Sequence, residues 1–368
     1  MKHLIRLIND IQIRYCSSSK LPFTDDLKNR LQSLTALEKH LIADSIYKLE
    51  YDIGSGPILK ILHETGVISI EYYISGLEDT DLLLNIYNEF LENQPYLFAE
   101  LVKCSYQLKN PNSVRLKAIL DEFMIEFVQN INGLKLNPFK ALSKHLPYKT
   151  KIHLDENLIK HFLKNDAISI QKALKEQHLW ESEDKLQGNS IQDIILRDSL
   201  MEYEKIVPII HQCICVSNET NFRIYFKILR ILARKYGLKF INFYRQILTD
   251  DFRVFIKEKN DFVSYFVIVS IRQLSFSASD CFKYNDWYKK NIGEMMYLIS
   301  KEEFQYVLRS LMKMTEYEGN KEFLEIHINT RIQAPVKCNE LVFTYKALLK
   351  SRLESLAENK TNVIVLDC

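Results

Sequence analysis

The stretch 35-TALEKHLIADSIYKLE-50 decides the fold class of this chain. Thr35 and Glu38 have the spacing of a capping box, in which each side chain accepts a backbone N–H of the other at the start of a helix. The apolar residues recur every three or four positions and therefore share one helical face. They are Leu37, Leu41, Ile42, Ile46 and Leu49. The stretch predicts an amphipathic helix that begins after Thr35 and ends near Glu50.

The same periodicity continues along the chain, and turn-forming residues are rare. The 368 residues include 9 glycines and 8 prolines, too few for the many turns of a β-rich protein. Helices joined by short loops usually pack as antiparallel pairs. No sequence repeat with a period of about 34 or 40 residues is present. We predict an all-α fold, either an irregular α-solenoid or a multi-helix array of antiparallel helix pairs.

Three segments depart from the simple amphipathic pattern. The run Phe262–Leu274 is apolar on most sides, which predicts a helix buried in the core. It contains Arg272 and falls short of the ~20 apolar residues of a membrane span, so we predict no such span. Pro208 is expected to kink or separate two helices. The polar segment 181–190 contains Gly188 and is predicted to be an exposed loop.

Charge and proline positions divide the chain into two predicted helical subdomains. Residues 20–133 form the N-terminal subdomain, in which acidic side chains outnumber basic ones. Residues 134–150 contain Pro138, Pro147 and several lysines, and they form the candidate linker. Residues 151–368 form the C-terminal subdomain.

The first residues, MKHLIRLINDIQIRYCSSSK, have features of a mitochondrial targeting presequence. Four apolar residues fall on one helical face, three basic residues supply positive charge and three serines follow. These are Leu4, Leu7, Ile8 and Ile11, then Lys2, Arg6 and Arg14, then Ser17, Ser18 and Ser19. Asp10 departs from the pattern, because presequences are poor in acidic residues. We predict a presequence over residues 1–19; the alternative is an ordinary first helix.

A row of cations on one predicted helix is the best functional lead. Arg223, Lys227, Arg230 and Arg234 are separated by four, three and four residues and therefore share a helical face. Lys235 and Lys239 extend the row, and we call these six residues the basic stripe. It lies within residues 223–245, where no acidic residue occurs, so like charges repel without a nearby partner in the sequence.

The basic stripe predicts an RNA-binding or other anion-binding site, because such faces neutralise phosphates while neighbouring aromatic rings stack on bases. Three alternatives stay open from the residues alone. The stripe contacts an acidic protein surface, pairs with the acidic N-terminal half of the same chain, or is a solvated face opposite a buried one.

Few residues suggest metal binding or catalysis. The segment His211-Gln-Cys213-Ile-Cys215 is the one local cluster of soft ligands, but it lacks a second pair at zinc-site spacing. The seven cysteines are scattered and odd in number, which indicates free thiols in a reducing compartment. Phosphate-binding, nucleophile-elbow and metalloprotease motifs do not occur. We predict no metal, no cofactor and no enzymatic activity.

The N-terminal segment MKHLIRLINDIQIRYCSSSK and the rhythm of helix pairs resemble the fungal mitochondrial gene-expression factors. These are helical-repeat proteins, often pentatricopeptide-like, behind a cleavable presequence. The resemblance implies a non-catalytic protein of the mitochondrial matrix that assists maturation or translation of organellar RNA, or assembly of a complex. It implies single-stranded RNA or a ribonucleoprotein as the partner, and it assigns no individual functional residues.

Two other function classes remain open at this point. The first is a HEAT-like protein–protein interaction scaffold in the mitochondrion, cytosol or nucleus, whose partner is another protein. The second is an all-α enzyme whose catalytic groups come together from distant helices.

Overall fold

Helices make up nearly all of the computed structural model, which describes residues 24–48, 56–107, 111–131, 137–186, 190–199 and 202–364. The predicted all-α fold is confirmed. The predicted presequence, residues 1–19, lies outside the described residues. Contacts divide the chain into two compact units, residues 1–161 and residues 162–368.

The first unit consists mainly of short helices. Its elements are α1 Thr24–Gln32, α2 Ala36–Lys48, α3 Gly56–Glu64, α4 Ile70–Gly76, α5 Thr80–Asn93, α6 Pro95–Ser105, α7 Ser113–Asn130, α8 Phe139–Leu142 and α9 Tyr148–Lys164, the last of which continues to Lys164 beyond the unit boundary. Helix α8 and the start of α9 therefore occupy part of the predicted linker, residues 134–150.

Helix α2 corresponds to the helix predicted from residues 35–50, and part of that prediction is correct. The backbone N–H of Thr35 donates to Glu38 Oε2 at 2.9 Å, and the N–H of Glu38 donates to Thr35 Oγ1 at 3.3 Å, so the capping box is confirmed. Ile42 and Ile46 are buried. The side chains of Leu37 and Leu41, however, are 68% and 42% exposed, because the apolar pattern is wider than the strip of α2 that meets its neighbours.

The core of the first unit is built around an aromatic cluster on α5, α6 and α7. The ring of Phe123 lies 5.6 Å from that of Tyr87, 5.4 Å from that of Phe98 and 6.0 Å from that of Phe127. All four side chains are buried. Edge-to-face and tilted ring pairs of this kind add to the free energy gained by burying their area.

The second unit contains longer helices and one short ladder. Its elements are β1 Ile168–Ser169, α10 Ile170–Leu186, α11 Ile191–Ser199, α12 Tyr203–Ser217, β2 Glu219–Thr220, α13 Phe222–Tyr236, α14 Leu238–Glu258, α15 Asp261–Ser277, α16 Tyr284–Tyr288, a π-helix Lys289–Gly293, a 3₁₀-helix Met295–Tyr297, α17 Lys301–Thr315, α18 Lys321–Asn329 and α19 Asn339–Ile364. The strands pair antiparallel, with Ile168 opposite Thr220.

Helix α15 is the centre of the second unit, as the apolar run Phe262–Leu274 predicts. It packs against α10, α13, α14 and α17, and its residues from Ser264 to Leu274 are buried. Its Ser270 is hydrogen-bonded inside the core: the hydroxyl of Tyr225 lies 2.6 Å from Ser270 Oγ and 2.5 Å from the hydroxyl of Tyr244. Buried hydroxyls bonded in this way avoid most of the cost of leaving water.

Of the two alternatives predicted for Pro208, separation of two helices is wrong, because Pro208 lies inside the continuous helix α12. A kink at Pro208 stays a prediction. One other local prediction in the second unit is wrong. Residues 181–186, predicted as loop, form the last turns of α10. Within the described residues, no helix is long and apolar enough to cross a membrane.

Candidate functional site

A buried ion pair joins α15 to the loop that precedes α18. Arg272 and Glu318 contact each other through Nη2 and Oε2, and both side chains are almost fully buried. The guanidinium also lies over the rings of Phe323 and Tyr284, at 4.3 Å and 5.5 Å from their centroids. Burial by itself lowers the pKa of Arg272, but the Glu318 carboxylate and Tyr284 outweigh it and hold that pKa above its ordinary value.

A buried histidine extends this polar network between α16, α18 and α19. Nε2 of His327 lies 2.8 Å from the hydroxyl of Tyr284, and Nδ1 lies 3.1 Å from the hydroxyl of Tyr345. The ring stacks on Tyr288 at 4.1 Å. Burial, together with the charges of Arg272 and Lys346, lowers the pKa of His327 well below its ordinary value. The neutral ring therefore donates one hydrogen bond and accepts the other.

Lys346 of α19 closes the C-terminal end of α18. Its Nζ donates to the carbonyl oxygens of His327, Ile328 and Thr330 at 2.5, 2.6 and 2.6 Å. Burial of the ammonium lowers the pKa of Lys346 to about 8, with a further contribution from Lys350. The last carbonyl groups of a helix have no partner within the helix, so this cation fixes the end of α18.

A cleft of about 570 Å³ lies on the outer side of the elements that hold this network. Ten residues line it, from α16, the π-helix, α18 and the loop after α18. They are Asn285, Lys289, Glu294, Glu322, Glu325, Ile326, Asn329, Thr330, Arg331 and Gln333. Tyr284 and Tyr288 point into the network while Asn285 and Lys289, on the same helical segment, line the cleft.

Close backbone packing joins the two walls of the cleft at one end. The N–H of Gln333 donates to the carbonyl oxygen of Gly293 at 2.9 Å. A Cβ atom on Gly293 would lie only 3.0 Å from the carbonyl oxygen of Arg331, so the absence of a side chain allows this approach. The wall that ends at Gly293 is a π-helix, a conformation that is rare and frequently found at functional sites.

The charged residues of the cleft are not paired with one another. Lys289, Glu294, Glu322, Glu325 and Arg331 make no ion pair with any residue that the structure describes. These groups can therefore pair with a charged molecule that enters the cleft. The arrangement suits a polar ligand with charges of its own.

Five of the six residues of the basic stripe lie on α13, and the first three of them are paired within the second unit. Arg223 Nη2 lies 2.9 Å from Glu183 Oε2, and Lys227 Nζ lies 3.6 Å from Asp193 Oδ1. Arg230 is buried, with Nη2 3.3 Å from Glu181 Oε1. The repulsion between neighbouring cations is thus offset by carboxylates of α10 and α11.

The second half of the stripe is exposed. Arg234, Lys235 and Lys239 lie at the end of α13 and the start of α14. Lys235 Nζ lies 5.3 Å from the centroid of the Tyr236 ring. Three of the six predicted site residues are thus paired with carboxylates of α10 and α11, and the other three are exposed. Their role in binding an anion stays a prediction.

The cluster of soft ligands has a different geometry from a metal site. His211 Nε2 lies 2.6 Å from Asp251 Oδ2, and Cys213 is partly buried. The side chain of Cys215 lies outside the description. Across the described ranges, no three His, Cys, Asp or Glu residues come together in a way that could hold a metal ion.

Sequence reasoning did not find the cleft or its supporting network. Arg272 stands out as a cation inside an apolar run, and this is the one local signal that was visible. Nothing near Arg272 in the sequence points to Glu318 or His327, which are 46 and 55 positions further along. The cleft residues are ordinary surface types, and only the fold brings them together.

The family model for the Fanconi anaemia group A protein N terminus matches residues 24–358. The chain belongs to this family. A search of curated proteins finds no match. The family match covers both units, including the helices that form the network and the cleft.

Membership in the Fanconi anaemia group A family corrects the predicted resemblance. The chain is not one of the mitochondrial pentatricopeptide-like gene-expression factors, and the expected matrix location and role in organellar RNA maturation or translation are wrong. The physical reason is that lysine- and leucine-rich amphipathic helices occur in every helical array. Their periodicity identifies the architecture and not the family.

The Arg272–Glu318 pair provides a test of the network. Arg272→Met or Glu318→Gln leaves one buried charge without its partner, and each should lower the free energy of unfolding by about 3–5 kcal/mol. The double variant removes both charges. Its free energy of unfolding should fall by clearly less than the sum of the losses in the two single variants. Urea unfolding followed by tryptophan fluorescence measures this, since Trp180 and Trp287 both lie in the second unit.

An exposed pair serves as the control for this double-mutant cycle. Arg253 Nη1 lies 3.0 Å from Asp250 Oδ1 at the surface of α14, and Arg253→Met should cost less than about 1 kcal/mol. Additive losses for Arg272 and Glu318 would contradict the coupling described above.

His327 predicts a specific dependence of stability on pH. Its pKa is lower in the folded chain than the ordinary value of 6.5, so the unfolded chain takes up the proton first as the pH falls. The stabilisation is complete above about pH 6.5 and is lost below it, by up to about 1.4 kcal/mol per pH unit. His327→Gln should flatten this part of the pH profile of urea unfolding. His40→Gln, at an exposed position, should leave the profile unchanged.

Proposed function

We propose that this chain is a non-catalytic protein-interaction scaffold that acts in the nucleus, in genome maintenance. The family match over residues 24–358 supports this proposal, because Fanconi anaemia group A proteins belong to a nuclear DNA-repair family. The all-α architecture is consistent with it, since helical arrays expose long surfaces that bind other proteins. In the second unit, a buried polar network of Arg272, Glu318, Tyr284 and His327 lies beneath part of the surface.

The observation that carries the scaffold proposal is a concentration of exposed apolar side chains near the C-terminal end. Tyr297, Leu298, Val336 and Phe343 are between 69% and 82% exposed. Single exposed apolar residues are ordinary on protein surfaces. Tyr297 and Leu298 are adjacent in the sequence, and this exposed pair favours a surface that another protein covers.

The exposed half of the basic stripe is proposed as a second contact, for an acidic surface of a protein partner. Arg234, Lys235 and Lys239 are three exposed cations at the end of α13 and the start of α14. Charges at the edge of an interface mainly speed association and select partners of opposite charge. An acidic protein surface fits this role within the scaffold proposal.

Localisation and purification test the main proposal. The tagged full chain should accumulate in the nucleus, and a stoichiometric protein partner should copurify with it after nuclease treatment. A Tyr297→Ser, Leu298→Ser double variant should fold normally, because both side chains are exposed, and should lose most of that partner. A mitochondrial location, or a partner released by nuclease, would contradict the proposal.

Charge reversal tests the stripe. Replacing Arg234, Lys235 and Lys239 by glutamate should slow association with the copurified partner by about tenfold at low salt. The difference should shrink as salt screens the charges. Reversal of Lys140, Lys144 and Lys149, exposed residues of the first unit, is the control with the same change in net charge. Equal effects of the two triple variants would remove the stripe from the interface.

A further inference from the structure

The cleft between α16, the π-helix and α18 has a defined shape, unpaired charges and an apolar border. We propose that it binds an extended segment of a partner protein in which a lysine or arginine stands beside an apolar side chain. The proposal rests on the scaffold function, because it names a surface by which such a scaffold holds its partner.

The acidic wall of the cleft determines the charge of the segment. Glu322 and Glu325 are both exposed, line the cleft and lie on one face of α18, three residues apart. Glu294 adds a third carboxylate, against the two cations Lys289 and Arg331. None of these groups has a counter-ion within the described residues. A cationic side chain is thus attracted to the two carboxylates of α18.

The remaining lining suits a peptide backbone. Asn285, Asn329 and Gln333 carry amide groups that both donate and accept hydrogen bonds. Lys289 and Arg331 supply further donors for carbonyl oxygens. Ile326 is the one large apolar side chain of the lining, which argues against a lipid or another apolar small molecule.

The apolar border lies at the end of the cleft formed by Gln333. The hydroxyl of Tyr297 donates to Gln333 Oε1, which holds the exposed tyrosine ring at this end. Leu298 follows it directly, and Val336 is three residues beyond Gln333; both are strongly exposed. A segment whose cation lies against α18 therefore places a neighbouring apolar side chain against this border.

The network beneath the cleft makes the site rigid before a partner arrives. The hydrogen bond between Tyr284 and His327 and the stacking of Tyr288 on His327 fix the distance between the two walls. Lys346 fixes the end of α18. A site already in its binding geometry avoids the entropy cost of ordering its walls.

Selection from a library of short random peptides displayed on phage tests the proposal with the full chain as target. The enriched peptides should contain lysine or arginine close to an apolar or aromatic residue. A Glu322→Lys, Glu325→Lys variant should bind them at least about tenfold more weakly, since two attractive contacts become repulsive. The matched control is Glu354→Lys, Glu358→Lys, which reverses two exposed carboxylates of α19 outside the cleft. Its affinity should stay within about twofold.

Each other outcome counts against the proposal. Failure to enrich any peptide, enrichment of peptides without a basic residue, or equal binding to both double variants would overturn it. Leu298→Ser should weaken the enriched peptides severalfold, and an unchanged affinity would remove the apolar border from the site. Tryptophan fluorescence checks that each variant is folded.

Copurification distinguishes failure of this inference from failure of the scaffold function. A partner that copurifies equally with the unmodified chain and with the Glu322→Lys, Glu325→Lys variant would overturn the cleft as its docking site and leave the scaffold standing. Absence of any protein partner for the unmodified chain would instead overturn the scaffold function.

Discussion

The ion pair between Arg272 and Glu318 is the interaction on which the C-terminal part of the second unit depends. Two opposite charges in an apolar core cost several kcal/mol to desolvate, and the cost is recovered only when each has a partner in good geometry. Arg272 contacts Glu318 and lies over the rings of Phe323 and Tyr284. Tyr284 in turn bonds to the imidazole of His327. Helices α15, α16, α18 and α19 must therefore lie in one arrangement, because most alternatives would leave a buried charge unpaired.

The need of a buried charge for a partner of opposite charge also explains the basic stripe. Arg223, Lys227 and Arg230 read in the sequence as a repulsive row, yet each has a carboxylate from α10 or α11 beside it. Arg230 and Glu181 are both largely buried, and Gln273 donates to the same Glu181 oxygen from α15 at 2.6 Å. Each of these cations on an apolar helix is thus paired with a carboxylate that is far away in the chain. In this protein such cations mark contacts between helices at least as much as contacts with ligands.

The sequence predicts a structural feature well when the residues that determine it lie close together in the chain. The capping box of Thr35 and Glu38 and the burial of most of the run Phe262–Leu274 depend on residues a few positions apart, and both were predictable. Other features depend on which neighbouring elements pack at each place. They are the exposure of Leu37, the continuity of α12 through Pro208 and the helical state of residues 181–186. The cleft is the extreme case: Asn285 and Glu325 belong to one site only because a network of residues far apart in the chain brings their helices together. The family, in turn, rests on the whole pattern of residues 24–358 and on no single motif.

Each helical element around the cleft has an inner face in the buried network and an outer face that lines the cleft. The inner face contributes to stability, and the outer face is available for binding. On α18, His327 points into the core while its neighbour Ile326 lines the cleft, and on the opposite wall Tyr288 and Lys289 divide in the same way. A change that weakens the buried contacts of the inner face also moves the side chains that line the cleft, because adjacent residues share one backbone. An apolar core of equal volume would stabilise these helices as well or better, but it would fix their relative position less strictly, since apolar contacts lack direction. A directional, fully buried network is therefore what a surface needs when it must present separated charges at constant distances to a partner.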